Sequence, residues 1–160
     1  MTTPTIYPAE FDPNVGDVFR RAPAMRNGSP QLVETVVTLP AATGTSTVVG
    51  LIPFTKGARV SLYDSFIDSD DVDTGTDVTY TVGWVYDDNT TYTNDPDGFI
   101  ASSTVGQSGG IDQFDAVAGV QFIAEADGWI ALTTGGGATT TEGDVRFQGK
   151  ISYDATAAIA

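Results

Sequence analysis

The chain of 160 residues contains no cysteine and no histidine. Without cysteine there is no disulfide framework, no thiolate metal ligand and no cysteine nucleophile. Without histidine the chain lacks the commonest general base near neutral pH, every Ser-His-Asp arrangement and most zinc chemistry. An enzyme made from this sequence would have to work with carboxylates alone. We therefore expect a protein that is not an enzyme and that holds no cofactor and no metal.

Basic residues are also scarce. The 7 lysines and arginines stand against 21 aspartates and glutamates, which gives a formal net charge of -14 and an isoelectric point near 4.1. Nucleic acid is an improbable partner for such a chain, because phosphate binding needs lysine and arginine to displace counterions. None of the basic residues lies between Arg59 and Arg146. The uneven charge indicates either a body kept soluble by self-repulsion or an acidic face with a basic anchoring arm.

Long apolar runs are absent as well. No stretch approaches the ~18 apolar residues that a membrane-spanning helix requires, so we expect no membrane partner. The first residues lack the basic start and apolar core of a signal peptide. Nothing in the sequence directs the chain into a secretory pathway.

Residues 1–30 differ from the rest of the chain, since five prolines and two glycines interrupt any helix-like or strand-like periodicity of the apolar residues. Proline fixes φ and biases the preceding residue toward extended backbone. Aromatic residues recur in this segment, whereas disordered tails usually have few of them. We interpret residues 1–30 as an extended arm that reaches a partner instead of folding back on its own domain. The expected partner-binding residues are Tyr7, Phe11, Phe19, Arg20, Arg21 and Arg26.

Residues 31–160 are predicted to form one all-β domain. Apolar and polar residues alternate with a period of two, which is typical of half-buried antiparallel strands. Short strands separated by glycine-rich turns favour a β-sandwich or jelly roll. The predicted strands cover residues 31–39, 46–54, 58–67, 76–86, 120–126, 128–134 and 144–153. The residues expected to be buried are Val78, Val82, Trp84, Phe122, Phe147 and Ile151. Val60, Leu62 and Phe66 are expected to lie on one side of their strand.

Three connections have recognisable local signals. Asp127 and Gly128 predict a tight hairpin between two strands. Residues 133–143, rich in glycine and threonine, predict a longer, flexible connection and lack the lysine of a phosphate-binding loop. Asp95 as a cap and Pro96 in the first turn predict one short helix that ends near Gly106.

Two acidic loops could carry chemistry. The loop at residues 68–77 has enough aspartates for a Ca²⁺ site, but its spacing departs from the EF-hand pattern. The loop at residues 86–98 could supply the paired carboxylates of a glycosidase, which need a groove between them. Aspartate is also common in any exposed turn, so we favour solvated loops at both places. The aspartates concerned are Asp68, Asp70, Asp71, Asp73 and Asp77 in the first loop, and Asp87, Asp88, Asp95 and Asp97 in the second.

The two tryptophans have two interpretations. Trp84 and Trp129 lie at strand positions compatible with a core, which we favour. Alternatively, they are stacking platforms for a sugar or a protein partner.

The segments VSLYDSFID, YTVGWVYDD, DPDGFIASSTVGQSGG, ADGWIALTTGGG and GDVRFQGKISYD follow one another within residues 58–154. Together they resemble the capsid decoration (cement) proteins of tailed bacteriophages. The resemblance implies a β-sandwich or jelly roll, commonly a homotrimer, that sits on the outside of the virion and bridges neighbouring capsomers. It also implies the major capsid protein as the partner and synthesis in the host cytoplasm. Another virion part, such as a head fibre or tail component, and a carbohydrate-binding sandwich module are the alternatives.

Overall fold

The protein is a sandwich of two four-stranded antiparallel sheets, described by a computed structural model for residues 4–8 and 30–153. The first sheet has the strand order β1-β8-β3-β6 and the second has the order β2-β7-β4-β5. This arrangement confirms the predicted all-β sandwich. The strands are β1 Gln31–Leu39, β2 Val48–Phe54, β3 Ala58–Ser69, β4 Thr79–Tyr86, β5 Asp95–Ser103, β6 Gly110–Gln113, β7 Gly128–Gly135 and β8 Gly143–Tyr153.

Helical structure within the described residues is limited to two single turns. They are a 3-10 turn at Val105–Gln107 and the short helix α1 at Val117–Val120. No helix in the described ranges is both long enough and apolar enough to cross a membrane.

The main core lies between the sheets. Alternate residues face it in β8, whereas all seven residues of β2 are buried. Five of the six residues predicted to be buried lie within this core, namely Val78, Val82, Phe122, Phe147 and Ile151. Trp84 is only partly buried, but its ring packs against Phe99 and Phe122 at centroid distances of 5.3 and 4.6 Å. Alternation therefore located the inward face of most strands, because successive side chains of a strand point to opposite faces.

Strand β3 departs from the predicted alternation. Its pairing with β8 shifts register between Ser61 and Phe66. The shift turns Ser65 and Ile67 into the core and leaves Phe66 half-buried. Phe66 was predicted to share the inward side with Val60, and the irregularity in the strand is the reason that it does not.

The helix predicted from Asp95 and Pro96 does not exist. Both residues open strand β5, which pairs with β4 at the edge of the second sheet. An edge strand tolerates proline, since the missing N–H need not face a neighbouring strand. Phe99 and Ile100 follow in the same strand and are buried.

The strand and hairpin predicted around residues 120–128 are also wrong. Helix α1 ends at Val120 and residues 121–127 form an irregular segment that leads into β7. Its backbone is tied to the start of β3, because Gly57 N donates to Ala124 O at 2.7 Å and Ala124 N donates to Ala58 O at 2.8 Å. Phe122 and Ala124 are buried. Because alternate residues of this loop pack on the core, its sequence shows the same apolar alternation as a strand.

Residues 4–8 lie along the outer edge of β2. Ile6 pairs in parallel with Val49, and Gly50 N donates a hydrogen bond of 2.8 Å to Ile6 O. The ring of Tyr7 meets Trp129 edge-on with the centroids 5.0 Å apart. The prediction that the arm does not fold back on its own domain is therefore wrong for these residues. An unpaired strand edge beside an apolar ring offers an extended segment both hydrogen bonds and apolar contact.

The other five arm residues lie outside the described residues, so their role in partner binding stays a prediction, as does the division of the chain at residue 30. They are Phe11, Phe19, Arg20, Arg21 and Arg26.

Candidate functional site

The first acidic loop, between β3 and β4, is organised by Asp73. Its carboxylate accepts backbone hydrogen bonds from Gly75 N at 2.9 Å, Asp77 N at 2.9 Å and Val78 N at 3.0 Å. Only 4% of Asp73 is exposed. These backbone donors, that of Val78 first, hold the pKa of Asp73 below its usual value. The carboxylate closes the loop on itself.

Neighbouring aspartates in this loop serve the backbone in the same way. Asp71 Oδ1 accepts from Asp73 N at 3.1 Å, and Asp70 Oδ2 accepts from Asp144 N at 2.9 Å. Within residues 4–8 and 30–153, acidic side chains nowhere converge in threes or more on a point where a metal ion could bind. These contacts support a loop closed by its own aspartates, and they leave the alternative of a Ca²⁺ site without an observation behind it.

The Asp73→Asn substitution tests this role through the pH dependence of stability. Because the folded pKa of Asp73 is lowered, its contribution is present above the ordinary pKa of 3.8 and is lost as the pH falls through the folded pKa. We expect the Asp73→Asn protein to unfold at lower urea concentration at pH 7. The gap to the wild type should narrow as the pH falls from 4 to 2.5.

Asp112→Asn is the matched control, because no backbone hydrogen bond to its carboxylate occurs among the described residues. Urea unfolding curves of the wild type and of both variants, recorded at four pH values, measure how the gap in stability changes with pH. A gap between wild type and Asp73→Asn that stays constant with pH would show that the carboxylate charge does not hold the loop.

The second acidic loop, between β4 and β5, also uses its carboxylates locally. Asp88 Oδ1 accepts from Thr90 Oγ1 at 2.7 Å, Thr90 N at 3.1 Å and Thr91 N at 3.2 Å. The threonine hydroxyl and amides lower the pKa of Asp88 to about 2. Burial, together with the neighbouring carboxyl of Asp97, raises the pKa of Asp95. Asp95 and Asp97 lie two residues apart on the one strand β5, whereas the two carboxylates of a glycosidase flank the scissile bond.

A shallow depression of about 410 Å³ lies beside this loop. It is lined by asparagine and threonine side chains, with Tyr92 as the aromatic member. The ring of Tyr92 packs against Tyr86 at a centroid distance of 5.5 Å. A sugar site built around aromatic stacking gains little from this depression, because its aromatic ring already has a partner in the fold.

The tryptophans belong to the fold. Trp129 is 1% exposed and Tyr7 packs on it. Trp84 lies against Phe99 and Phe122. Trp129 is buried, in a second cluster with Val48, Val85 and Ala131 that is separate from the main core. Trp84 is partly buried and packs against the main core.

Four exposed apolar side chains lie on β3, β6 and α1. Tyr63 in β3, Ile111 in β6, and Val117 and Val120 in α1 are 87%, 67%, 84% and 66% exposed. Monomeric proteins rarely expose large contiguous apolar patches except where they bind something. Among these four residues, Val117 and Val120 share one turn of helix and are the best candidates for such a contact.

The elements that carry these four residues are fixed by backbone contacts. Gln113 Nε2 donates to Tyr63 O at 2.6 Å, and Phe114 N donates to Ser65 O at 3.0 Å. These bonds hold the end of β6 and the approach to α1 beside β3. A Cβ at residue 119 would come within 3 Å of side chains in β3 and β5, so the glycine at this position lets α1 lie close to both sheets. With Gly119 inward, the two valines of α1 point outward.

Sequence reasoning missed the exposed apolar residues of α1 because it assigned residues 120–126 to a strand. One signal could have revealed them. Residues 116–124 contain no charged residue, although the chain as a whole carries a charge of -14.

The outer face of the first sheet has a different character. Three of the four basic residues in the described ranges, Arg59, Arg146 and Lys150, lie on it. Arg146 pairs with Glu34 at 3.4 Å and with Asp68 at 3.8 Å, as Lys150 does with Asp64 at 3.2 Å. Exposed pairs of this kind contribute at most about 1 kcal/mol each, but they balance the charge of this face. Its exposed apolar residues include Leu32 and Val36 on the edge strand β1.

Comparison with known proteins finds relatives by structure alone. No protein-family model matches the chain, and no curated protein matches its sequence.

Two solved structures contain a chain of similar fold. In "Capsid of Ralstonia phage GP4" the match has 22% identity and a TM-score of 0.58, covering 78% of this chain and 85% of that one. In "Cyanophage Pam1 capsid asymmetric unit" the match has 18% identity and a TM-score of 0.59, covering 79% of this chain and 86% of that one. At these identities the likeness shows the fold. The protein therefore shares its β-sandwich with chains found in two bacteriophage capsid structures.

Proposed function

We propose that this protein is a structural component of the virion of a tailed bacteriophage and that it decorates the outside of the capsid. The observation that carries the proposal is its fold, which extends over 85% and 86% of the similar chains in two phage capsid structures. The resemblance of five sequence segments to decoration proteins points independently in the same direction. Fold alone does not determine function, so the chemistry of the surface has to agree.

The surface chemistry agrees with a place on the capsid exterior. A charge of -14 disfavours contact with packaged DNA and keeps a component soluble before assembly. The partner is the major capsid protein, and the protein bridges neighbouring capsomers as a homotrimer after synthesis in the host cytoplasm. Residues 1–30 act as an arm in this assembly, with residues 4–8 docked on β2.

The alternatives are a different virion part, such as a head fibre or tail component, and a carbohydrate-binding module. The carbohydrate alternative is weakened because Trp84 and Trp129 pack within the fold. Separating heads from tails of purified virions and identifying the proteins by mass spectrometry distinguishes the virion alternatives. Decoration requires the protein in the head fraction.

A binding experiment tests decoration directly. Empty capsid shells, prepared from the source virus with the gene for this protein deleted, are incubated with the purified protein and sedimented. We expect saturable binding with a copy number set by the symmetry of the shell. Failure of the wild-type protein to co-sediment with such shells, at any concentration, would refute decoration.

The arm is tested by replacing Arg20, Arg21 and Arg26 with serine. If the three arginines meet carboxylates of the capsid protein, shell binding should weaken about tenfold at low salt, as three exposed ion pairs would allow. The difference should shrink as salt rises, because salt screens exposed charges. Co-sedimentation at several salt concentrations measures both effects.

The matched control replaces Arg59, Arg146 and Lys150 with serine. This variant has the same net charge as the arm variant but leaves the arm intact. Equal loss of binding in both variants would show that net charge, and not the arm, is responsible.

A further inference from the structure

We propose that residues 4–8 are a cover over the outer edge of β2, and that this edge, once uncovered, is an association surface for a second copy of the chain. The cover is the extended segment that pairs in parallel with β2 through Ile6 and Val49. Such an edge matters whether or not the protein decorates a shell, because it governs association between copies of the chain.

Of the four edges of the two described sheets, the edge of β2 has the least protection of its own. β6 is only four residues long, β5 opens with Asp95, Pro96 and Asp97, and β1 carries Glu34. Short length, charge and proline are the features by which edge strands avoid pairing with other chains. β2 has seven residues and no charged residue. Its proline, Pro53, is the next-to-last residue of the strand, so the first half of β2 needs a cover from elsewhere.

The cover lies on that first half. Thr5 N donates a hydrogen bond to Val48 O, and Gly50 N donates one to Ile6 O, both at 2.8 Å. An edge strand presents such backbone groups to any chain that can pair with them. Residues 4–8 therefore occupy the positions at which another strand would add to the sheet.

The side chains of the cover pack on both sides of the edge. Ile6 packs against the main core, whereas Tyr7 packs against the second cluster, where its ring meets Trp129 at a centroid distance of 5.0 Å. Gly50 makes this contact possible, because a Cβ there would lie 2.7 Å from the ring of Trp129 and 3.2 Å from that of Tyr7. Since a single five-residue segment makes these contacts, it should open at a lower cost in free energy than unfolding of the sandwich.

A second copy of the chain fits the uncovered edge. The β2 edges of two copies can pair antiparallel about a two-fold axis, so that each strand satisfies the backbone groups of the other. Because β2 has no charged residue, the paired strands place no like charges opposite each other. The ring of Trp129, which is 1% exposed beneath Tyr7, becomes an apolar contact surface beside the edge when Tyr7 leaves.

The double variant Ile6→Ser with Tyr7→Ser releases the cover without changing the net charge or β2. We expect sedimentation velocity to show association of this variant, beyond the state of the wild type, at concentrations at least tenfold lower than the wild type requires. Salt should strengthen the association, because it screens repulsion between copies that each carry a charge of -14. Leu32→Ser with Val36→Ser is the matched control and should sediment like the wild type, since it removes two exposed apolar side chains from the edge strand β1.

Hydrogen exchange at the Gly50 amide identifies the surface. This N–H donates to Ile6 O in the covered protein, so it should exchange at least tenfold faster in a dilute solution of the Ile6→Ser, Tyr7→Ser variant. Protection should return as the concentration of the variant rises, because pairing with a second copy gives the N–H a new acceptor. A Gly50 amide that still exchanges fast in the associated variant would place the contact elsewhere and overturn the proposal.

An engineered disulfide tests the cover within one protein. The chain has no cysteine, and Ile6 lies opposite Val49, at a spacing between neighbouring strands of about 4.8 Å that suits a disulfide. The triple variant Ile6→Cys, Tyr7→Ser, Val49→Cys should keep the wild-type state when oxidised and associate when reduced.

Equal behaviour of the two redox states, in a triple variant whose circular dichroism matches the wild type, would refute the cover. A disulfide that joins two chains on a non-reducing gel would show that the cover comes from a neighbouring copy, and the intramolecular cover would be wrong. None of these measurements uses capsid shells, so failure of the cover and failure of decoration are distinguishable.

Discussion

Replacing Phe99 with alanine is expected to lower the free energy of unfolding by about 3–5 kcal/mol, the range found when a buried phenylalanine is truncated. Phe99 is 0% exposed. Its ring stacks on Phe114 at 5.1 Å and meets Trp84 and Phe122 edge-on at 5.3 and 5.2 Å. Alanine would leave a cavity among rings that the surrounding strands hold apart, so the site cannot easily collapse.

Urea unfolding monitored by tryptophan fluorescence measures the Phe99 effect, since Trp84 lies in the same cluster. Tyr63→Ala is the control for loss of an aromatic ring. Tyr63 is 87% exposed, and a surface change of this kind should alter stability by no more than about 0.5 kcal/mol. Similar losses in the two variants would mean that the aromatic cluster does not stabilise the sandwich.

The same substitution should affect helix α1. The carbonyl of Phe99 accepts the hydrogen bonds that anchor residues 115 and 116, and its ring lies within 3 Å of the place that a Cβ on Gly119 would occupy. Repacking around residue 99 would therefore shift α1.

Gly83→Ala is expected to be the other severe substitution. A Cβ at residue 83 would lie 1.9 Å from the carbonyl oxygen of Asp95 and 2.6 Å from the carbonyl carbon of Pro96. Both are backbone atoms of β5, so relief of the clash requires the strand to move away from β4. We expect a loss of at least about 2–3 kcal/mol, at or above the usual range for forcing extra volume into a packed site.

Gly44→Ala is the matched control for the added methyl group. Its Cβ would approach no atom closer than Thr47 Oγ1, at 4.0 Å, and the change should be within about 0.5 kcal/mol. Thermal melting of both variants beside the wild type gives the comparison. A Gly83→Ala protein that melts with the wild type would show that β5 does not cross β4 as closely as described.

Several features of the fold follow from local sequence alone. In β8 the buried residues Val145, Phe147 and Ile151 occupy alternating positions, so the inward face is evident without a structure. Strand β1 has the same property, with Val37 and Leu39 inward. Alternation identifies such strands because one face meets the core and the other meets water.

Prediction from local sequence was wrong for the segments whose secondary structure depends on distant partners. Asp95 and Pro96 form a good helix start, yet they begin β5 because Gly83 in β4 allows a strand to approach. Residues 121–127 alternate like a strand, yet they form a loop tied to Gly57 and Ala58. Long-range pairing overrides local preference in sheets, where propensity depends strongly on context.

The sequence by itself determined that this protein is an acidic β-sandwich without histidine or cysteine chemistry, because composition and alternation act residue by residue. Only the tertiary structure decided that residues 4–8 join the edge of β2 and that Tyr63, Ile111, Val117 and Val120 stay exposed. Tyr63 and Val120 are far apart along the chain, and the packing of α1 against β3 brings their elements together. No local pattern contains that information, since it arises from which strands pair.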